Sequence, residues 1–115
     1  MLTREAILGA DDLPREKVDV PEWGGAVYVR TMTGAERDKY EAELLATEDK
    51  TARLVNIRAR LAGLTVCDEA GKRVFADGDI EALGAKSAAA LDRIFPVAMR
   101  LNGLSATDVE GLEKN

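Results

Sequence analysis

Histidine is absent from the 115 residues, and cysteine occurs once, as Cys67. Without imidazole the chain lacks the commonest general base and the commonest metal-binding side chain. A Ser–His–Asp or Cys–His arrangement cannot be assembled from it alone. One cysteine excludes an internal disulfide framework and fits a reducing cytoplasm. Aromatic residues make up 4%, so a core must rest on Leu, Ile, Val and Ala within an apolar fraction of 46%. No apolar run approaches the roughly 20 residues that span a bilayer. The first residues lead into only a short apolar patch, Ala6-Ile7-Leu8, before Asp11-Asp12, too short and too soon acidic for a signal peptide.

Positive charge is outweighed, with 16 Lys and Arg against 21 Asp and Glu. The net charge is -5 at pH 7, which argues against nucleic acid or an anionic membrane as main partner, since phosphate binding relies on clustered Lys and Arg. Arg53, Arg58 and Arg60 gather in one stretch, but acidic residues surround them, and they read as a solvated helix face. A charged fraction of 32% beside the apolar 46% describes a soluble folded chain. Its length supports a single domain over residues 1–115.

What is present is an ordered series of local signals. Residues 3–13 read as a short helix capped by Thr3, with Ile7, Leu8 and Leu13 as its apolar face and Pro14 as its stop. Val18 and Val20 alternate with Lys17 and Asp19, then Pro21-Glu22-Trp23-Gly24-Gly25 turns the chain into Ala26-Val27-Tyr28-Val29-Arg30. That pattern predicts a β-hairpin, with glycine supplying positive φ in the turn. A lone hairpin is marginal, so it must pack on helices or find further strands. Thr33-Gly34-Ala35-Glu36 is a capping box opening a helix with Tyr40, Leu44 and Leu45 on one side. A polar loop at 46–50 precedes a longer helix over 51–64, in which Leu54, Ile57, Leu61 and Leu64 recur at helical spacing. Residues 65–67 and 73–75 flank Asp68-Glu69-Ala70-Gly71-Lys72 as a second short hairpin or wide turn. Asp77 then caps a brief helix ended by Gly84, and Ser87 caps another whose apolar face carries Leu91, Ile94, Phe95 and Ala98. Pro96 falls inside that pattern and predicts a kink or a split. Asn102-Gly103 is a stop, and Ser105 opens a last short helix. The fold class is α+β, an N-terminal β-hairpin packed on a mainly α-helical single domain.

The candidate chemical sites reduce to bland readings. Cys67 has no base nearby, and Asp68 and Glu69 would raise its pKa, so it reads as an inert thiol. Asp77-Gly78-Asp79-Ile80-Glu81 lacks the spacing of a calcium loop and reads as a helix start. Gly84-Ala85-Lys86-Ser87 lacks the Gly-Lys pair of a phosphate loop. No catalytic, cofactor or metal residues are expected. Trp23 either covers a satellite core or anchors a partner, since tryptophan is enriched at binding hot spots. The stripe Leu91, Ile94, Phe95, Ala98, Met99 and Leu101 is core packing or, in its other reading, a face for a partner helix.

Several pieces in order resemble the phage tail assembly chaperones of long-tailed phages and prophages. They are Leu2 to Leu8, Val18 to Gly25, Thr33 to Asp38, Asp68 to Lys72, Asp79 to Gly84 with Lys86-Ser87, and Leu101 to Ser105. The resemblance implies a non-enzymatic protein of the host cytoplasm, absent from the mature virion. It would bind the tape-measure protein, a long apolar helical polypeptide, and keep it soluble until tube subunits polymerise around it. It further implies self-association along that polypeptide and a longer frameshifted form that recruits the tail tube protein. Glu113-Lys114-Asn115 is compatible with a slippery adenine run in the gene. On this reading Trp23 and the Leu91, Ile94, Phe95, Ala98, Met99 and Leu101 stripe meet the partner. The rival reading is a structural subunit of the particle, such as a head–tail joining or minor tail protein. A small DNA-binding regulator using the Arg53–Arg60 stretch ranks behind both.

Overall fold

The computed structural model describes residues 1–54 and 56–104. Its framework is a three-stranded antiparallel sheet in the order β1-β2-β3, formed by β1 (Arg15–Val20), β2 (Gly25–Arg30) and β3 (Val66–Cys67). The hairpin expected from Val18 and Val20 is present. Its register pairs Val18 with Val27 and Val20 with Gly25. Between the strands Pro21–Trp23 forms a 3-10 turn, and Gly24, at φ 76°, makes the left-handed step that a side chain would oppose. The hairpin finds both kinds of support it needs. Val29 of β2 pairs with Val66 of β3, and one face of the sheet packs on a helix.

That helix is α6 (Ala88–Leu101), which lies against β1 and β2 and against α4 (Ile57–Thr65). Strand alternation places Val18, Val20, Val29 and Val66 on the inner face, all buried. They meet Leu61 and Leu64 of α4 and Leu91, Ile94 and Ala98 of α6 in one core cluster. α5 (Ile80–Gly84) adds Leu83, and α2 (Gly34–Ala46) adds Tyr40 and Leu44. The α+β class, with an early hairpin and helices after it, is what the structure has.

The caps follow the sequence closely. The Thr33 hydroxyl accepts from the Glu36 N–H at 3.1 Å while the Glu36 carboxylate accepts from the Thr33 N–H at 2.9 Å. Ser87 accepts from the Ala90 N–H at 3.3 Å at the start of α6. At its end Gly103 has φ 64°, the Gly103 N–H donates to the Arg100 carbonyl, and the Leu104 N–H donates to the Met99 carbonyl. This double closure satisfies two terminal carbonyls and seats Leu104 on the core.

Several expectations are corrected. The first helix, α1, covers only Arg4–Leu8 and buries no residue, because Gly9 ends it and nothing packs on it. The helix predicted over 51–64 is two helices, α3 (Lys50–Leu54) and α4, with Asn56 at φ 60° between them. The left-handed step turns Leu54 out to 47% exposure, so the stripe begins at Ile57. Leu45 likewise points outward, unlike Tyr40 and Leu44. Arg53 is buried and donates to the Thr47 carbonyl, closing the loop before α3, so it is not part of a solvated face. Pro96 does not split α6. Pro96 and Asp92, whose carbonyl loses its helical donor, both lie on the exposed side of α6, where a missing bond costs least. Asp77 is not the cap of α5. Asp79 reaches back to the Ala76 N–H at 2.8 Å, while Asp77 pairs with Lys39 and Arg73. The second hairpin is reduced to two residues of β3 and a single bridge from Cys67 to Arg73. The helix expected from Ser105 lies outside the described residues.

Candidate functional site

The sheet's outer face carries Arg15, Lys17, Ala26, Tyr28 and Cys67, by alternation from the buried valines. Over this face and onto the edge where β3 stops runs an open groove of about 710 Å³. It is lined by Trp23, Val74, Phe75 and the Asp68-Glu69-Ala70 turn, and by Val27 at the open edge of β2, where Val27 shares the inner face with its partner Val18.

Each wall is fixed by local chemistry. β3 is two residues long, so on that side β2 is unpaired at Ala26 and Val27, which pair with β1 on the other, and the chain turns away at Asp68. The Asp68 carboxylate accepts from the Ala70 and Lys72 N–H groups, both at 2.9 Å, and Gly71 supplies φ 86°. This side-chain turn holds the loop open without regular strand pairing. Trp23 is half-buried, its inner edge packed on the core and the rest facing the groove. Its turn is tied to α6 by the ion pair of Glu22 with Arg93 at 2.6 Å. The Arg93 hydrogen bond, aided by a backbone bond, holds the Glu22 carboxyl below its ordinary pKa. The Arg15 guanidinium lies 5.9 Å over the Tyr28 ring and closes the face at its other end.

Cys67 faces the groove but is 3% exposed. Burial pushes its thiol pKa up, with Arg30 and Arg15 opposing and Asp68 adding a smaller push. The sequence pointed to Asp68 and Glu69 as the cause, whereas loss of solvent is the larger one. A raised thiol pKa leaves little thiolate for nucleophilic chemistry. Among the described residues, no three His, Cys, Asp or Glu side chains group so as to hold a metal ion. No helix of the described residues is long and apolar enough to cross a membrane.

The residues singled out as partner contacts are not brought together on one surface. Leu91, Ile94, Ala98 and Met99 are all buried, and they face the sheet and α4. Phe95 and Leu101 are half-buried at the margin of the same core. Trp23 alone of the seven lines the groove. The remaining walls, Val27, Tyr28, Val74 and Phe75, carried a sequence signal for strands but none for a shared surface. Arg58 and Arg60 do not form a basic patch, since Arg58 pairs with Asp92 and lies over Phe95, and Arg60 pairs with Glu43.

Exposed apolar surface also gathers at the N-terminus. Leu2, Ile7 and Leu8 are 74%, 54% and 69% exposed, on an arm with no buried residue.

Comparison with known proteins gives two findings. A family model described as phage tail assembly chaperone matches residues 3–115. Among solved structures, the tail assembly chaperone of bacteriophage HK97 is similar, with a TM-score of 0.62 at 21% identity, covering 87% of this chain and 91% of that one. No curated protein matches. At that identity the structural likeness is one of fold.

Proposed function

The chain belongs to the phage tail assembly chaperone family, and from that premise we propose that it binds the tape-measure protein during tail assembly and keeps it soluble. The observation that carries this reading is the open groove with Trp23 on its wall. An amphipathic helix laid into an apolar groove is a recurrent way of holding a helical polypeptide, and aromatic anchors supply much of its energy. A long apolar helical protein offers many such faces. A groove open along its length accepts them without demanding one sequence.

In this reading Trp23 is the anchor, and Phe95 and Leu101 offer a smaller contact on α6. Leu91, Ile94, Ala98 and Met99 contribute by holding α6 under the sheet. The protein works as a binder, with no chemical step, in the cytoplasm of the bacterial host, and it stays out of the finished particle. Self-association along the tape-measure polypeptide would multiply weak contacts by raising effective concentration. A longer product frameshifted at Glu113-Lys114-Asn115 would add recruitment of the tail tube protein.

Co-expression with the tape-measure protein of the same genome tests the reading. The partner should become soluble and co-purify, and Val74→Asp, at an exposed groove position, should reduce its recovery while the variant keeps its circular dichroism spectrum. A tape-measure protein that stays insoluble beside a soluble partner-free chain would overturn it.

A further inference from the structure

Exposed large apolar residues are concentrated on the N-terminal arm, and the groove offers apolar surface through Val74 and the half-buried Trp23 and Phe75. Of the seven large apolar residues exposed among the described ones, four (Met1, Leu2, Ile7 and Leu8) lie on the N-terminal arm and one, Val74, lines the groove. We propose that the arm is a strap for its own groove: it exchanges between the position it takes in this structure and one folded back over the outer face of the sheet, which seats Leu2, Ile7 and Leu8 against Trp23, Val74 and Phe75. The structure holds the open form, with α1 clear of the groove. The proposal rests on the reading of the groove as the partner's site only for its consequence, not for the strap itself.

Reach and charge favour the chain's own arm. The arm is anchored at Pro14, whose carbonyl accepts from the Thr31 N–H at 3.1 Å. From there Lys17, on the groove wall, is about 10 Å away along β1. The tether, residues 9–13, spans about 17 Å when extended and α1 adds about 7 Å, enough for Leu2 to reach the Trp23 end of the groove, about 20 Å away along the six residues of β1. Its Asp11 and Asp12 would pass Arg15 and Lys17. Arg4, loosely paired with neighbouring Glu5 at 3.6 Å, would come to the groove end that carries Asp68 and Glu69. None of the residues of α1 is buried, so it gives up little when it moves. A short tether also keeps the arm at roughly millimolar effective concentration, well above that of free partner segments at the start of assembly.

A strap of this kind would keep the groove from sticking to unrelated apolar chains, while a long apolar helix engaging many copies would displace it. The device is a competition between an intramolecular segment and a partner for one surface, and its balance is set by their relative affinities.

The chain carries one tryptophan, Trp23, so its fluorescence reports groove occupancy in the full-length protein. Acrylamide quenching is compared between the wild type and the L2S/I7S/L8S variant, with R4E as a milder second variant. The expected result is an increase of about twofold in the quenching constant for the triple variant, smaller for R4E, and unchanged over about a hundredfold range of protein concentration. Equal quenching in wild type and triple variant would overturn the strap. Protection of Trp23 that grows with wild-type concentration would overturn it too, by placing the arm in another copy's groove. Tape-measure capture by the triple variant is scored separately. Greater capture supports competition at the groove. Unchanged capture beside a confirmed quenching difference would leave the strap standing and remove the groove as the partner's site.

Discussion

Replacing Glu36 by alanine should be among the most damaging single changes at a position that is not fully buried. Glu36 joins two layers of structure. Its carboxylate accepts from both terminal nitrogens of Arg30, at 2.9 and 3.0 Å, and from the Thr33 N–H at the start of α2. Arg30 is 4% exposed, and its Nε has no partner, so the pair with Glu36 and one bond to the Thr31 carbonyl are what keep this buried cation solvated. Removing one member of a buried pair costs about 3–5 kcal/mol, because the other charge is stranded. Glu36 keeps 20% side-chain exposure, which places the cost near about 3 kcal/mol after solvent relaxation. The lost half of the capping box adds about 1 kcal/mol. A total near 4 kcal/mol corresponds to a melting temperature lower by about 15 °C for a chain of this size. The double variant Arg30→Met with Glu36→Ala should recover more than half of that loss, since no charge is left stranded. Burial pushes the Glu36 pKa up, but the Arg30 hydrogen bonds, the Thr33 bond and the Arg30 charge together outweigh it and leave the folded value below the ordinary 4.5. The stabilisation is then fully present above about pH 4.5 and is lost as pH falls through the folded pKa. The gap between wild type and Glu36→Ala should therefore narrow below pH 4.5. Thermal melts of the three proteins from pH 3.5 to 7 decide the matter. A Glu36→Ala loss under about 1 kcal/mol, or a double variant no better than the single, would refute the reasoning.

Other predictions test separate parts of the structure. Ile94, 0% exposed in the core, should lose about 2–5 kcal/mol on truncation to alanine in urea melts, with no added effect on partner capture per folded molecule. A Cβ at Gly84 would lie 2.4 Å from the Asn56 side-chain oxygen, so Gly84→Ala should cost about 1 kcal/mol in wild type and stabilise slightly in an Asn56→Gly background, read as a double-mutant cycle. Gly24 at φ 76° has open space around it, so Gly24→Ala should cost about 1 kcal/mol by backbone strain alone, whereas Gly24→Asn should cost less, as melting curves would register. The buried Cys67 thiol, its pKa raised, should react with a chromogenic disulfide at pH 8 far more slowly in the folded protein than in urea.

The sequence was most legible where one residue's chemistry decides the outcome. Thr33 with Glu36 fixed a helix start, Val18 and Val20 fixed the inner face of β1, and Asn102-Gly103 fixed the end of α6. It was least legible where a pattern continues through a break. Leu54, Ile57 and Leu61 keep helical spacing across Asn56, and that apolar spacing masks the one local cue, an asparagine, which tolerates the left-handed step better than other residues with a side chain. Arg53 looked solvated because its carbonyl partner, Thr47, belongs to the preceding loop. The groove was hidden for a third reason: Trp23 from a turn, Val27 from a strand and Phe75 from an irregular segment meet only through the sheet's pairing. The α6 stripe showed the converse limit. Its pattern is that of a core helix, and apolar periodicity alone does not say whether the helix faces its own sheet or another protein.

A groove between Trp23 and Phe75 that holds an apolar helix of the tape-measure protein would lose solvent exchange when the complex forms. Hydrogen–deuterium exchange on the free chaperone and on its co-purified complex tests it most directly. Exchange should slow on complex formation in residues 23–28 and 68–75, with α2 and α3 unchanged. Protection confined to α2 and α3, with the groove segments exchanging as in the free protein, would contradict it.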